Sequence, residues 1–422
     1  MAAFVPNPHS SRHIAAALDA LISQGFPVYL WGFSAIDAYL GRPANNEVLI
    51  ITGADPADLA RLYETLRYPG IDLADAALDH AAPDKMGAAP DKMGACYFRC
   101  ADFENSPGPA ERFLFNHPGP FRHSEGRCPA FTVLEFYRDL RTGRFYDPRE
   151  NYPLLRSIHR GQMPELQPDA IRAGIERSRA LMDWALLLAK YIPIDEARSF
   201  SPAVFQELAA GAKPGIEEQR LLLTGLLTAP NPALGLEFLM RSGFIAEYWP
   251  ELAVLNDVDH SKEFHPEGNV WKHTLETFRY RKASGNAFDL RLSLGLLLHD
   301  TGKPQAENAG SRRFDGHAEL GERQAGRFLN RLGFNAALIS DVCYLVRNHM
   351  FPAALPRLPL IRTEEKMSNP LFPALMELYR CDESSSFKGL DNYYQSSAAY
   401  QSFLRYRKNP YRSADGKKLK KS

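Results

Sequence analysis

The stretch from Leu292 to Pro304, in RLSLGLLLHDTGKP, reads as a buried apolar helix segment that ends abruptly in His299, Asp300 and a Gly302-Lys303-Pro304 break. An imidazole and a carboxylate at adjacent helical positions point about 100° apart. Both can reach one cation only if further ligands arrive from elsewhere in the fold. His273 lies upstream in FHPEGNVWKHTLET and Asp382 downstream in LMELYRCDESSS, each within an amphipathic, helix-like run. His317 in FDGHAELGERQA and His349 in LVRNHM fall between them and could complete a second position.

The elements that must position these groups span a chain of 422 residues, which suits two or three domains with ordinary cores. With 50 basic and 50 acidic residues, no global field demands nucleic acid as a partner. The five cysteines (Cys96, Cys100, Cys128, Cys343, Cys381) are scattered and form no CxxC pair, which points away from a disulfide framework or zinc ribbon and toward a reducing cytoplasm. No apolar run approaches the roughly 18 residues of a membrane span, so no membrane association is expected.

In chain order, the apolar spacing from Ser10 to Ser23 predicts a helix stopped by Gly25. PVYLWGF reads as a strand entering a turn, Ser34 to Leu40 as a helix, and EVLIIT (Glu47 to Thr52) as a second strand. A tandem APDKMGA repeat over 82–95 reads as a solvated loop, and the nearby Cys96 and Cys100 as core thiols. From Pro168 the pattern turns helical, and Gly215 to Leu252 reads as three short helices joined at Pro230-Asn231-Pro232 and Gly243. After the Ser384–Ser386 run, an aromatic and basic stretch (Tyr393, Tyr394, Tyr400, Tyr406, Tyr411, then Lys417 to Lys421) predicts a closing helix and a flexible end. Its aromatics are of a kind that stacks on RNA bases.

The order His273, His299-Asp300, Asp382 resembles the HD superfamily of metal-dependent phosphohydrolases. That resemblance implies that His273, His299, Asp300 and Asp382 bind a divalent ion (Mn, Ni, Co, Mg or Fe), which polarises a phosphoryl oxygen and lowers the pKa of a bound water. It assigns catalytic roles to Asp300 and to Lys303, which neutralises charge in the transition state. His317 and His349 then hold a second ion or the phosphate. The string HPEGNVWKHT, His265 to Thr274, is similar to the entry of the HD domain in CCA-adding enzymes of the gammaproteobacterial type. It sets His265 at the cleft with His317 and His349, as a second-metal, phosphate, substrate or structural contact. Arg312, Arg313 and Arg347 are weaker phosphate candidates.

The strand, turn, helix, strand unit near the start resembles the nucleotidyltransferase head of class II tRNA CCA-adding enzymes and bacterial poly(A) polymerases, which also carry an HD-type domain. The family's turn has two glycines, then Val-Arg-Asp and Leu-Leu-Gly-Arg. This chain has Gly32, Phe33, Ser34, Ala35, Ile36, Asp37 and later Leu40, Gly41, Arg42. Phe33 obstructs close approach of a triphosphate, and Ile36 stands where an arginine pairs with phosphate. Glu47, Val48 and Leu49 replace the Asp-x-Asp that holds two metal ions. In CPAFTVLEFY, Cys128, Pro129, Ala130 and Leu134 replace polar members of the family segment, while Gly143, Asp147 and Pro148 keep a hairpin signature. Asp169 to Arg172 keep one base-recognition half-motif, with Ile175 in place of a second arginine. Gly32, Asp37, Glu47 and Arg172 are what remains of that site.

The expectation is an α+β protein: a degenerate nucleotidyltransferase-like β-sheet head over 1–160, an all-α neck over 161–255, an all-α HD domain over 256–405 and a basic flexible tail over 406–422. The expected activity is metal-dependent hydrolysis of a phosphomonoester or phosphodiester, on a nucleotide or RNA 3′-end related substrate. One alternative is an active tRNA CCA-adding or poly(A)-adding nucleotidyltransferase, with Glu47 and a carboxylate such as Asp37 binding the metals. The other is a non-catalytic protein that binds tRNA or other RNA. The sequence leaves the oligomeric state open.

Overall fold

A computed structural model of the chain describes residues 12–42, 47–54, 94–98, 110–115, 132–160, 177–192, 214–259, 268–283, 288–308, 314–386 and 389–408. The chain divides into two compact units, Met1–Phe238 and Leu239–Ser422, so the division falls inside the stretch expected as a neck. The sequence expectations for most of the tandem repeat and for Cys100, Cys128, Asp169, Arg172, His265, Arg312, Arg313 and Tyr411 lie outside the described residues.

In the first unit, α1 (Arg12–Ser23) leads through Gly25 into β1 (Val28–Trp31), α2 (Phe33–Tyr39) and β2 (Glu47–Thr52). α2 starts and ends one residue earlier than its apolar pattern suggested. Gly32 precedes it at φ 57, which a residue without a Cβ adopts cheaply. The strands β3 (Gly94–Phe98), β4 (Ala110–Phe115), β5 (Tyr137–Asp139) and β6 (Phe145–Tyr146) join β1 and β2 in a sheet ordered β3-β4-β2-β1-β5-β6 among the described residues. Its β2 and β4 run parallel and the other neighbours antiparallel. Phe136 is fully buried and packs against Tyr39, Phe145 and Tyr152 at 5.5–5.6 Å between centroids, which ties α2 to the β5–β6 hairpin. Helices α3 (Tyr152–His159), α4 (Arg177–Tyr191) and α5 (Ile216–Thr228) complete this unit, and α6 (Pro232–Arg241) crosses the division. Four helices rather than the expected three run across Gly215–Leu252: the breaks at the prolines and at Gly243 are as expected, and Trp249 with Pro250 adds another.

The second unit is built of helices, with one isolated bridge between Asp259 and Asn269 among its described residues. It contains α7 (Phe244–Tyr248), α8 (Pro250–Ala253), α9 (Val270–Thr277), α10 (Leu290–Leu298), α11 (Lys303–Asn308), α12 (His317–Arg331), α13 (Ala336–Asn348), α14 (Leu360–Met367), α15 (Phe372–Ser384) and α16 (Asp391–Lys408). The starts of three of these helices are written in the sequence. The side chains of Asn269, Asp289 and Asn335 accept backbone N–H groups at the first turns of α9, α10 and α13.

Helix α10 is the axis of the unit: Leu292, Leu294, Leu296, Leu297 and Leu298 are all buried, and Gly295 faces Leu345 and Leu378 from α13 and α15. At about 1.5–3 kcal/mol for each fully buried leucine, this helix is placed by burial on every side rather than by an amphipathic stripe. The closing helix α16 turns Tyr400 onto Phe372, so that aromatic is committed to packing, while Tyr394 is exposed. The whole is α+β, with the sheet confined to the first unit among the described residues. No described helix is long and apolar enough to cross a membrane.

Candidate metal centre

Because α10 is fixed on all sides, the residues that follow it are fixed too. His299 caps α10 with helical backbone angles, and His299, Asp300 and Thr301 are all buried. The chain then turns at Gly302. A Cβ there would lie 2.0 Å from the His317 carbonyl oxygen and 2.5 Å from the Gly321 nitrogen. Only glycine therefore lets the start of α12 approach this turn, and that approach brings His317 over Asp300. His349 caps α13, His273 lies in α9, and Asp382 lies in the last turn of α15. The structure thus gathers His273, His299, Asp300, His317, His349 and Asp382 from five segments.

The histidines are oriented from behind. In His299, His317 and His349 the Nδ1 lies 2.8 Å from a backbone carbonyl three residues earlier, of Leu296, Phe314 and Val346 respectively. A carbonyl only accepts, so each Nδ1 carries the proton and, in the neutral ring, each Nε2 presents a lone pair. In His273, Nδ1 lies 3.2 Å from the Ser385 hydroxyl, which itself donates to the Asp382 carbonyl at 2.6 Å.

The Nε2 atoms converge on Asp300 from two sides. Its Oδ2 lies 3.2 Å from His299 Nε2 and 3.8 Å from His273 Nε2. Its Oδ1 lies 3.6 Å from His317 Nε2 and 3.9 Å from His349 Nε2. Asp382 Oδ1 adds to the first side, 3.0 Å from His273 Nε2 and 3.9 Å from His299 Nε2. Two sets result, His273–His299–Asp300 and Asp300–His317–His349, each with ligand atoms within 4.8 Å of one another.

These residues fit divalent cations. His299 Nε2 is buried and has no hydrogen-bond partner. His317 Nε2 and His349 Nε2 face each other at 3.0 Å with both Nδ1 protons already given to carbonyls, so a proton or a cation must separate the two lone pairs. Burial, reinforced by His299, pushes the His349 imidazole down to about 4, and burial lowers His317 as well. Both rings are therefore kept in the neutral, metal-binding form. Burial would raise the carboxyl of Asp300, but His299, Lys303 and His273 outweigh it and hold it well below the usual carboxylate range. Asp382 is likewise lowered against its burial, chiefly by His273 and His299.

Lys303 Nζ donates to Asp300 Oδ2 at 2.6 Å, with the Phe314 ring 5.6 Å from its ammonium. Its position beside the cluster is as expected, but in this structure it meets the carboxylate. Arg347 is exposed and pairs with Glu319 and Glu322, a solvated face rather than a phosphate contact.

The remnants of the head site are occupied in other ways. Asp37 is buried, 2.6 Å from Lys190 Nζ and 2.7 Å from the Tyr191 hydroxyl, and so ties α2 to α4. Phe33 stacks on Tyr191, and Ile36 is fully buried. The Gly32 N–H donates to the Phe136 carbonyl. Glu47 opens β2 opposite Ala110. Leu134, where the family has asparagine, is buried, and the neighbouring Glu135 pairs with Arg149 at 2.7 Å.

Residues 270–378 match the family described as HD domain, and the second unit of the chain carries that domain. Asp382 lies just beyond the matched span. Among known proteins, the CC-adding tRNA nucleotidyltransferase of Thermus thermophilus is 34% identical over 152 residues, 35% of this chain and 35% of that protein. The Multifunctional CCA protein of Halorhodospira halophila is 32% identical over 146 residues, 34% of each chain. That of Xanthomonas campestris pv. campestris is 24% identical over 284 residues, 65% of this chain and 63% of the other. The chain spans about a third of the length of the first two relatives. Both parts of the sequence resemblance stand, the HD domain and the likeness to tRNA nucleotidyltransferases. By their names, these relatives support the transferase alternative better than the hydrolase expected first.

Proposed function

We propose that the His/Asp cluster is the working centre of a metal-dependent phosphoester hydrolase carried on a tRNA nucleotidyltransferase-like chain, acting on a nucleotide or RNA 3′ end in the cytoplasm. The observation that carries this reading is the convergence of four imidazole Nε2 edges on the two oxygens of Asp300. His273, His299, Asp300 and Asp382 would hold one divalent ion, and Asp300, His317 and His349 a second. Such ions supply Lewis-acid polarisation of the phosphoryl group and a water of lowered pKa. The protein's part is to keep the His317 and His349 imidazoles neutral, to share Asp300 between both sets, and to hold Lys303 at its edge. There Lys303 restrains Asp300 and offers its ammonium to charge developing on the phosphoryl oxygens.

The second reading, nucleotide addition to a tRNA 3′ end, is favoured by the names of the relatives. Against it stand the engagement of Asp37 with Lys190 and Tyr191 and the packing of Phe33 on Tyr191.

Both readings are tested on one preparation. Hydrolysis of 2′,3′-cyclic nucleotides and nucleoside monophosphates is measured with Mn²⁺, Ni²⁺ or Co²⁺, beside incorporation of CTP and ATP into tRNA lacking its terminal nucleotides. Hydrolysis lost in Asp300→Ala supports the cluster. Incorporation that survives Asp300→Ala, with no hydrolysis, gives the function to the head. Salt-dependent tRNA binding with neither activity would leave a binding protein.

A further inference from the structure

His299, His317 and His349 each orient on a carbonyl of their own segment, so the main chain and not another side chain holds the ring. His273 is placed differently. It lies within α9, and its Nδ1 turns to Ser385, the residue that caps α15. The Ser385 hydroxyl donates to the carbonyl of Asp382, the residue whose carboxylate faces the other edge of the same imidazole at 3.0 Å. With its proton committed to that carbonyl, the hydroxyl oxygen can only accept from Nδ1, which fixes the ring with Nε2 facing Asp382. Ser385 is itself buried, so water does not readily replace it.

We infer that Ser385 is a positioning residue for the His273–Asp382 side of the centre: it sets the tautomer and rotation of His273 and ties that ring to the backbone of Asp382. This rests on the metal-centre reading above. Neighbouring serines supply an internal comparison. Ser386 donates to the Glu383 carbonyl at 3.0 Å and Ser384 to the Arg380 carbonyl at 2.6 Å, the same kind of helix-end bond without a histidine behind it.

The test is titration of the full chain, stripped of metal, with Mn²⁺ alone, followed by calorimetry. Wild type is compared with Ser385→Ala, Ser385→Thr, Ser386→Ala and Asp300→Ala. The ¹⁵N shifts of His273 are read in the metal-free protein. Ser385→Ala is expected to weaken one Mn²⁺ site about 10- to 100-fold, as losses of such supporting hydrogen bonds do. It should also abolish the Nδ1–H signature of His273, with Ser385→Thr restoring both and Ser386→Ala changing neither. Wild-type affinity and an unchanged His273 signal in Ser385→Ala, while Asp300→Ala loses metal, overturns the role of Ser385 and leaves the centre intact. Equal weakening by Ser385→Ala and Ser386→Ala overturns it too, since the effect would then belong to the helix end. Retention of Mn²⁺ by Asp300→Ala overturns the centre itself.

Discussion

The closest backbone approach at the centre is the most exacting place to perturb it. Gly302→Ala puts a methyl group 2.0 Å from the His317 carbonyl oxygen and 2.5 Å from the Gly321 nitrogen, both backbone atoms, where ordinary contact begins at 3.4 Å. No side-chain rotation relieves this, so the first turn of α12 must retreat by roughly 1.4 Å, the difference between the two distances. Metal–ligand bonds to histidine tolerate only about 0.2 Å. His317 Nε2, now 3.6 Å from Asp300 Oδ1 and 3.0 Å from His349 Nε2, then leaves the second set, while His273, His299 and Asp382 keep theirs. Overpacking of this kind costs about 1–3 kcal/mol, which a domain of ordinary stability survives. The expected outcome is a folded protein with a lowered melting temperature that binds one Mn²⁺ near wild-type affinity and a second at least about tenfold more weakly. Equilibrium dialysis followed by metal analysis reads the stoichiometry. Gly295→Ala is the control, because its methyl group meets only the side chains of Leu378 and Leu345, at 3.0 and 3.1 Å. It should lower stability without changing stoichiometry. Two Mn²⁺ ions bound to Gly302→Ala at wild-type affinity would refute the idea that this contact sets His317.

The remaining predictions concern charge. His349 is held neutral among His299, Asp300 and His317, at about 4 when folded against 6.5 when exposed. Between those values the unfolded chain binds more protons, so metal-free stability should fall as pH drops from 6.5 toward 4, by on the order of 3 kcal/mol from this group. The depressed carboxyls of Asp300 and Asp382 protonate only at lower pH, so they do not set that slope. Urea denaturation at pH 7 and pH 5 should show the loss in wild type and a smaller one in His349→Gln; equal slopes would contradict the assignment. In the first unit, Asp37→Ala strands the buried Lys190 ammonium and should cost about 3–5 kcal/mol in urea denaturation, whereas a loss below about 1 kcal/mol would mean that water reaches the lysine.

The sequence carried the cluster further than the head. His273, His299, Asp300, His317, His349 and Asp382 are legible because an apolar run ending in two ligand residues is a local pattern, and the remaining ligands sit in helical runs of recognisable period. What arranges the cluster is not local. Ser385 read only as part of a serine run ahead of the closing helix, because nothing in sequence places it beside His273, 112 residues earlier. Gly302 read as a helix stop, although its larger effect is to admit the backbone of α12. Asp37 read as a carboxylate available to metal, because its partners, Lys190 and Tyr191, are 153 and 154 residues away. The orientation of each imidazole follows from tertiary packing, which periodicity does not report.

Helix α12 starts at the centre with His317, whereas α10, α13 and α15 arrive by their carboxyl ends, at His299, His349 and Ser385. A helix presents roughly half a negative charge at that end. These carboxyl ends add to the negative charge of Asp300 and Asp382, while the start of α12 and the Lys303 ammonium oppose it. The negative ends lie behind His299, His349 and Asp382, and so favour a cation between these side chains. That bias is set by the direction of the helices, where exchanging one side chain for another does not reverse it.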